Sequence, residues 1–165
     1  MKLYVGLGNP GREYAHTRHN AGFWALDMLA SHYAAPPWQG KFASECTTVM
    51  MDGEKTLLLK PQTYMNRSGH AVQQAMAFYK IPLEDVTVFH DELDLAPGVV
   101  RTKTGGGAAG HNGLKSLDAL VGYRRVRIGI GHPGVRELVT PHVLGKPEEN
   151  EATEIQNALK TFCNL

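Results

Sequence analysis

The sequence predicts an α/β fold in one domain, with a mixed, mostly parallel central sheet and helices on both of its faces. Short apolar segments typical of strands alternate with amphipathic helical segments, which is the pattern of a sheet covered by helices. The 165 residues contain no internal repeat, low-complexity tract or linker-like stretch, and a chain of this length can bury its own core. We therefore expect residues 1–165 to form a single domain.

The first half of the chain predicts a strand, a helix and a hairpin. Lys2–Val5 is a short apolar strand that glycines end. Asn20–Ala35 carries apolar residues at helical spacing, and two prolines end this helix. Thr47–Met51 and Thr56–Leu59 flank an Asp-Gly dipeptide, which is typical of a β-hairpin turn.

The second half continues the alternation of helices and strands. Ser68 is expected to cap a helix. The inner face of that helix carries Val72, Ala75, Met76 and Tyr79. Four further elements follow in order: strand Val86–His90, extended segment Val99–Thr104, helix Asn112–Leu120 and strand Arg125–Ile130. Pro147 is expected to open a final helix that packs through Ile155, Leu159 and Phe162.

The net charge of +1 conceals a local basic zone. Between positions 101 and 136 there are seven basic residues, namely Arg101, Lys103, Lys115, Arg124, Arg125, Arg127 and Arg136, and one acid, Asp118. A basic zone on a nearly neutral protein favours an anionic ligand, such as phosphates, on one face. From charge alone, a solvated basic surface without any ligand is the alternative.

Several classes of protein are disfavoured by the composition. No apolar run approaches the roughly 20 residues of a membrane helix, and the N-terminus lacks the pattern of a signal peptide. Cys46 and Cys163 show no metal or redox spacing, and we interpret them as reduced packing residues. These features lead us to expect a soluble, cytoplasmic protein.

A glycine motif after the first strand matches the dinucleotide-binding pattern G-x-G-x-x-G at Gly6–Gly11. That pattern requires a helix to begin at once, so that its free N–H groups face a pyrophosphate. Here Pro10 removes one donor, and the segment Arg12–His19 is polar without a helical stripe. We expect the glycines to shape a tight turn that presents Asn9.

Two polar loops follow the ends of predicted strands, Gly6–Asn20 and His90–Asp94. Loops at the carboxyl ends of strands in an α/β sheet converge on one crevice, which would bring His16 or His19 close to Asp91. A histidine oriented by a carboxylate is the minimum apparatus for activating water as a general base. A surface histidine without a role is the alternative for either residue.

Carboxamides recur in loops beside glycines, at Asn9, Asn20, Asn66 and Asn112. An asparagine side chain donates and accepts hydrogen bonds at once, so it suits recognition of a substrate's amide backbone. Each of the four could instead be a turn or cap residue, and for Asn20 we favour that interpretation.

Taken together, these segments resemble the bacterial peptidyl-tRNA hydrolase family. The resemblance rests on motifs in register from Leu3 to Lys146: Gly8-Asn9-Pro10-Gly11, Tyr14, Thr17-Arg18-His19-Asn20, Lys60-Pro61, Tyr64-Met65-Asn66, Ser68-Gly69, His90-Asp91-Glu92-Leu93-Asp94-Leu95, Gly110-His111-Asn112-Gly113 and Arg127-Ile128-Gly129-Ile130-Gly131. Such a resemblance implies hydrolysis of the ester between a peptide and tRNA.

The resemblance also implies roles for individual residues. His19 matches the base that activates water, Asp91 matches the residue that orients this base, and Asn9 matches a position that helps distinguish a peptidyl from a free aminoacyl group. The implied substrate contacts are Tyr14, Tyr64, Met65, Asn66 and Asn112, and the implied clamp for the tRNA 5′-phosphate is Lys103 and Arg127. The family uses no metal or organic cofactor. Its partner is peptidyl-tRNA, contacted at the acceptor stem and 3′ end, and we expect a monomer that binds no membrane.

The sequence departs from the family pattern in two places. Ala108-Ala109 replaces a glycine or bulkier residue that is usual in this loop, so its mobility is expected to differ. Many family members also continue with a short basic stretch past the position of Leu165, and we expect only modest contact with the tRNA body without it.

Two alternatives from other classes remain open at this point. Relatives of this fold that serve organellar RNA splicing suggest an RNA-binding module without hydrolysis. The histidines suggest a metallohydrolase that draws on His16, His19, His70, His90, His111 and His132. No H-E-x-x-H or other metal-ligand spacing occurs among them, which weighs against the second alternative.

Overall fold

A seven-stranded mixed sheet forms the centre of the molecule. The computed structural model describes residues 1–117, 120 and 122–165. Its strands are β1 Lys2–Gly6, β2 Gln39–Lys41, β3 Ser44–Met51, β4 Glu54–Pro61, β5 Val86–Glu92, β6 Val100–Thr104 and β7 Arg124–Gly129. They lie in the order β2-β3-β4-β1-β5-β7-β6.

The four central strands, β4, β1, β5 and β7, are mutually parallel. The outer pairings of β2 with β3, β3 with β4 and β6 with β7 are antiparallel. Parallel neighbours place their carboxyl ends on one edge of the sheet, and at that edge the loops after β1, β5 and β7 emerge together.

Helices cover both faces of the sheet, as the sequence predicts. They are α1 Ala21–His32, α2 Ser68–Tyr79, α3 Asn112–Ser116, α4 Val139–Val143 and α5 Glu149–Phe162. Alternate residues of a strand serve opposite faces: Leu57 and Leu59 pack in the cluster that contains α2 and α3, whereas Leu58 packs with α1 and α5. Among the described residues, no helix has the length and apolarity needed to cross a membrane.

Most predicted elements are present, with shifts of a few residues at their ends. Among the strands and α-helices of the described residues, two were not predicted: β2, whose three residues are all exposed, and α4, which has only five residues and contains Pro141. Neither segment has a hydrophobic period long enough to detect in the sequence. The predicted helix Asn112–Leu120 ends at Ser116, and positions 118 and 119 of that prediction lie outside the described residues.

The prediction that Ser68 caps α2 is wrong. Ser68 is the first helical residue, and its hydroxyl donates to the carbonyl oxygen of Met65 at 2.9 Å. A short 3-10 helix, Met65–Arg67, leads directly into α2 and already supplies the preceding turn. The side chain therefore joins two consecutive helical turns instead of accepting from the backbone N–H groups of α2.

The N-terminal end of α1 lies unusually close to the sheet because of Gly22. A Cβ atom at this position would meet the backbone of Leu7, 2.6 Å from its nitrogen, and the carbonyl oxygen of Phe89. Gly6 faces Gly22 across the same contact. The pair lets the start of α1, and the residues just before it, sit against the ends of β1 and β5.

We expect Gly22→Ala to destabilise the protein by about 1–3 kcal/mol, since the clash is with backbone atoms that cannot rotate away. This loss of stability should appear even though alanine favours a helix over glycine by about 1 kcal/mol. Urea unfolding followed by circular dichroism measures the change. Gly40→Ala on β2 is the control, because nothing lies within 4 Å of its added Cβ. Equal midpoints for the two variants would contradict the close approach of α1.

Candidate active site

The polar residues predicted to converge do meet at the carboxyl edge of the sheet. His19 lies in a 3-10 helix, Arg18–Asn20, that runs into α1. Asp91 lies near the end of β5, and His111 directly precedes α3 as its N-cap residue. The loop after β1 supplies Asn9. Three stretches of chain that are distant in sequence therefore build one site, and the first of them supplies both Asn9 and His19.

His19 and Asp91 form a buried hydrogen bond between Nδ1 and Oδ2 at 2.8 Å. Burial alone would lower the pKa of His19, but attraction to the Asp91 carboxylate and the hydrogen bond to it outweigh burial and raise that pKa above 6.5. The carboxylate accepts, so Nδ1 carries the proton and the lone pair resides on Nε2. His19 lines both of the cavities at this edge of the sheet.

Asp91 also accepts a hydrogen bond from a second histidine, His111, whose Nε2 lies 2.6 Å from Oδ1. The other ring nitrogen of His111, Nδ1, accepts the backbone N–H groups of Gly113 and Leu114 at 3.1 and 3.3 Å. These donors assign the His111 proton to Nε2. Burial would raise the pKa of Asp91, yet the two imidazole partners hold it well below its usual range.

Sequence reasoning missed His111 as a partner of Asp91. The Gly-His-Asn-Gly motif drew attention to Asn112, and the only role considered for His111 was metal binding. A histidine that follows a glycine-rich loop and immediately precedes a helix is a candidate N-cap, since a neutral ring nitrogen can accept backbone N–H groups. That signal predicts a neutral ring, but it does not identify the carboxylate partner.

The metal interpretation meets an obstacle in the same geometry. His19, Asp91 and His111 offer ligand atoms that all lie within 4.8 Å of one another. Coordination by Nε2 of His111 would require the proton to move to Nδ1, where two backbone N–H groups already point. Each Asp91 oxygen also accepts from one imidazole. This tautomer favours a hydrogen-bonded chain of three side chains over a metal centre.

Asn9 is held at both its backbone and its side chain. Its backbone N–H and C=O bond reciprocally with the side-chain amide of Asn20, each at 2.9 Å. The Oδ1 atom accepts the backbone N–H of Met65 at 2.8 Å. Oδ1 is occupied in this way, and among the described residues no acceptor bonds to Nδ2, so the side chain presents Nδ2 as a donor.

The preference for Asn20 as a simple turn or cap residue is therefore wrong. Its side chain makes no cap bond to α1, although Asn20 does stand at the N-cap position. It is almost fully buried and acts on Asn9, eleven residues away. The physical reason is that the turn after β1 folds back onto the start of α1. This places the backbone of Asn9 opposite the side chain of Asn20.

Predicted substrate-contact residues line a cavity of about 260 Å³ beside His19. The predicted residues on its wall are Asn9, His19, Tyr64, Met65, Asn66 and Asn112. Tyr14 does not line it, but its ring packs edge-on against Tyr64 with centroids 6.4 Å apart. Tyr64 itself has a positive φ of 59° and is 54% exposed, so it projects into solvent at the rim.

A second cavity of about 450 Å³ adjoins the other side of His19. It extends past Asp91 and His111 towards Arg136 and Val139. Both cavities share His19, Asn112, Thr140 and Val143, so α4 forms a wall common to the two. The site is thus an elongated cleft with His19 near its middle.

His16, the alternative to His19 in the first loop, lies elsewhere. It borders a separate groove of about 1030 Å³ between α1 and α5, together with Trp24, His32 and Lys160. This groove is larger than either cavity at His19, but it contains none of the residues hydrogen-bonded to Asp91. Size alone does not identify the site, and we assign it by its hydrogen bonds and charge.

Arg18 is another residue whose contacts sequence reasoning did not anticipate. Its backbone N–H donates to Gly145 at 3.0 Å, and its guanidinium donates to the carbonyl oxygen of His142 at 3.1 Å. A second guanidinium nitrogen lies 3.4 Å from Glu151 of α5. Arg18 therefore ties the segment that carries His19 to the wall formed by α4.

Lys103 and Arg127 lie on one face of the sheet, at its β6 edge. Register pairs Arg101 with Arg127 and Lys103 with Arg125, and directly paired antiparallel residues share a face. Lys103 and Arg127 are thus diagonal neighbours, about 7–8 Å apart at the backbone. Lys103 is exposed, whereas Arg127 is partly buried with Nη1 3.8 Å from Glu92.

The two thiols play no part in this cleft. Cys46 and Cys163 are both free, and neither borders the cavities beside His19. Burial raises the pKa of both thiols, and that of Cys163 reaches about 11. A thiol with a raised pKa is a poor nucleophile at neutral pH. The imidazole of His19 and the side-chain amide of Asn9 both border the cleft.

Comparison with known proteins shows extensive similarity to one family. Residues 3–165 match the family described as peptidyl-tRNA hydrolase. A peptidyl-tRNA hydrolase of Methylobacterium nodulans is 60% identical over 170 residues, which cover 100% of this chain and 84% of that protein. One from Bradyrhizobium diazoefficiens is 58% identical over 146 residues, covering 87% and 73% of the two chains.

The fold is likewise shared with solved structures. The crystal structure of peptidyl-tRNA hydrolase from Acinetobacter baumannii superposes with a TM-score of 0.94 at 46% identity. The match covers 99% of this chain and 85% of that one. A proteasome-assembly chaperone homologue of Mycobacterium tuberculosis matches with a TM-score of 0.50 at 10% identity, which reflects the fold alone.

The hydrogen bond between His19 and Asp91 generates a prediction about titration. His19 should titrate with a pKa above 6.5, and Asp91→Asn should lower this pKa because it removes the negative charge that favours imidazolium. Side-chain NMR of the histidines across pH measures both values. His90 is the internal control: burial and the nearby His111 lower its pKa to about 3, so it should stay neutral throughout. An unchanged His19 pKa in Asp91→Asn would contradict the assigned pair.

Proposed function

The chain belongs to the peptidyl-tRNA hydrolase family, and from this premise we propose that His19 is the general base of its reaction. The reaction is hydrolysis of the ester that joins a peptide to tRNA. The observation that carries the proposal is the buried hydrogen bond from His19 Nδ1 to Asp91, which leaves the lone pair of Nε2 directed at the cleft. A base in this state is ready to accept a proton from water.

In the proposed mechanism, Nε2 of His19 removes a proton from water as the water oxygen attacks the ester carbonyl carbon. Asp91 stabilises the imidazolium that forms and keeps its ring in place. Collapse of the tetrahedral intermediate breaks the bond to the ribose oxygen, and the imidazolium returns a proton to that leaving oxygen. The products are a peptide carboxylic acid and tRNA with a free terminal hydroxyl. No side-chain nucleophile is needed.

We assign to Asn9 the recognition of the blocked amino group. Its Oδ1 is committed to the backbone N–H of Met65, so Nδ2 can only donate to the substrate. A peptidyl group offers carbonyl oxygens as acceptors on the far side of its ester. A free aminoacyl group presents an ammonium there, which is itself a donor and cannot accept from Nδ2. The fixed amide orientation thereby favours peptidyl over aminoacyl substrates.

Further substrate contacts are proposed for the walls of the cleft. Asn66 and Asn112 supply polar groups on the cavity that contains His19, and Met65 supplies an apolar surface. Tyr64, supported edge-on by Tyr14, stands at the rim. These five residues suit a peptide, whose backbone needs hydrogen bonds and whose side chains vary.

The tRNA is proposed to lie across the face that carries Lys103 and Arg127. These two cations are diagonal neighbours on the β6–β7 pair, a spacing at which both can reach one phosphate. Since peptidyl-tRNA arises during translation, we place the reaction in the cytoplasm. We also propose a monomer, because one chain supplies every residue assigned to the cleft.

The proposal is tested with purified protein and two matched substrates, an N-blocked aminoacyl-tRNA and the same aminoacyl-tRNA with a free amino group. Rapid release of tRNA from the blocked substrate alone is the expected result. Equal release from both would exclude the role of Asn9, and release from neither would exclude the activity.

We expect His19→Ala to remain folded and to bind peptidyl-tRNA but to lose at least about 100-fold in rate, the low end of general-base effects. Asp91→Asn should retain more activity, because it misorients the base without removing it. Single-turnover hydrolysis at saturating enzyme measures both. His16→Ala is the matched control, since this histidine borders a different groove and should keep the normal rate. Near-normal hydrolysis by His19→Ala would eliminate the mechanism.

Lys103→Ala and Arg127→Ala should weaken binding more than chemistry, because phosphate contacts position a nucleic acid without touching the reacting atoms. Each variant should raise KM, leave kcat nearly unchanged and lower the slope of log affinity against log salt by about 0.7–0.9. Lys55→Ala, at an exposed end of β4, controls for the loss of one positive charge. If the two variants show the same salt slope as Lys55→Ala, Lys103 and Arg127 do not contact phosphates specifically.

A further inference from the structure

Arg125 is a buried cation without a carboxylate partner among the described residues. It lies on β7, is 3% exposed, and forms no ion pair within the described part of the chain. A buried guanidinium needs several acceptors to offset the loss of its hydration. Here the acceptors are neutral, and they belong to two different segments of the chain.

The first acceptor is the ring of His90, on the neighbouring strand β5. Nδ1 of His90 lies 2.8 Å from the carbonyl oxygen of Asp91, so it carries the proton and donates. Nε2 is therefore the acceptor, and it receives Nε–H of Arg125 at 3.2 Å. Through this ring, the guanidinium is connected to the backbone of Asp91.

The other acceptors belong to the glycine-rich loop between β6 and α3. Nη1 of Arg125 donates to the carbonyl oxygens of Gly105 and Gly107, at 3.2 and 2.9 Å. Gly105, Gly106 and Gly110 have positive φ values, and so does Ala109 at 48°. Such a backbone has little structure of its own to hold it. The loop leads directly into His111 and Asn112.

We infer that Arg125 is a positioning residue for the hydrolysis, because it holds the glycine-rich loop against the strand that carries Asp91. One guanidinium fixes both sides of the contact between His111 and Asp91: the backbone of Asp91 through His90, and the approach to His111 through two loop carbonyls. Asn112, the next residue, is set in place by the same anchor. The inference rests on the proposed roles of Asp91 and Asn112.

The rings in this region support a single packed unit. His111 lies between two other histidines, with its centroid 5.0 Å from that of His19 and 5.3 Å from that of His90. His90, at 1% exposure, packs with its ring plane nearly perpendicular to that of His111. A shift of the loop would therefore move His111 relative to both oxygens of Asp91. Misplacement of about 1 Å in an active site can reduce the rate by about 100-fold.

A purely structural role for Arg125 would predict a different pattern of effects. In that case its removal would destabilise the fold and lower the rate independently of the loop side chains. If Arg125 acts by placing His111 and Asn112, its removal should matter little once both of those side chains are gone. Residues that act through one another are non-additive, which a mutant cycle detects.

The test is a mutant cycle measured by single-turnover hydrolysis of N-blocked aminoacyl-tRNA. Arg125→Gln in the otherwise unchanged protein should lower kcat by about 10- to 100-fold and change KM by less than about threefold. In a protein that already carries His111→Ala and Asn112→Ala, the same substitution should cost less than about threefold. Arg124→Gln is the matched control, an exposed arginine on the same strand whose side chain points to the opposite face of the sheet.

Equal loss in both backgrounds would overturn the inference, and so would an unchanged kcat in folded Arg125→Gln. A comparable loss from Arg124→Gln would overturn it too, since it would reveal general damage to β7. If Arg125→Gln does not fold, Arg125→Lys replaces it, because lysine keeps the charge but cannot reach acceptors in three directions. Wild-type protein and His19→Ala are measured alongside, so failure of the proposed function is recognised separately.

Discussion

The buried carboxylate of Asp91 is the interaction on which the rest of the cleft depends. A carboxylate removed from water loses several kcal/mol of solvation, which must be offset by hydrogen bonds to both of its oxygens. Here one oxygen accepts from His19 and the other from His111. The charge of Asp91 thus determines the tautomer of the His19 ring, which lines the cleft, and the position of the carboxylate depends on the second ring, His111.

The fold supplies these two hydrogen-bond partners of Asp91 by packing the start of α1 closely against the ends of β1 and β5 and by placing α3 beside them. Asp91 stands near the end of a central parallel strand, so only residues at the carboxyl edge of the sheet can reach it. The close approach of Gly22 to Leu7 lowers the start of α1 onto that edge and brings His19 within hydrogen-bond distance. The capping of α3 by His111 supplies the second partner from the opposite side.

Two arginines of β7 that are two residues apart, Arg125 and Arg127, have different surroundings. Arg127 is partly exposed, and among the described residues its ion-pair partner is Glu92, 3.8 Å from Nη1. Arg125 is buried, and its guanidinium donates hydrogen bonds to neutral groups of the protein. Arginine is therefore partly exposed at position 127, whereas at position 125 it forms hydrogen bonds inside the protein. The burial of Arg125 accompanies its contact with the glycine-rich loop, whose carbonyl oxygens accept from its guanidinium.

From the sequence, the alternation of strands and helices and the hairpin follow from local periodicity. The meeting of a histidine of the first loop with Asp91 follows from the rule that loops converge at strand ends, and the choice of His19 over His16 came from the family resemblance. Three features became visible only in the folded chain: the bond of His111 to Asp91, the contact of Asn20 with Asn9, and the burial of Arg125. These assignments depend on contacts between segments that lie far apart along the chain, and on the direction of individual donors and acceptors. Composition and spacing do not identify these partners, since a side chain's partner is set by packing in three dimensions.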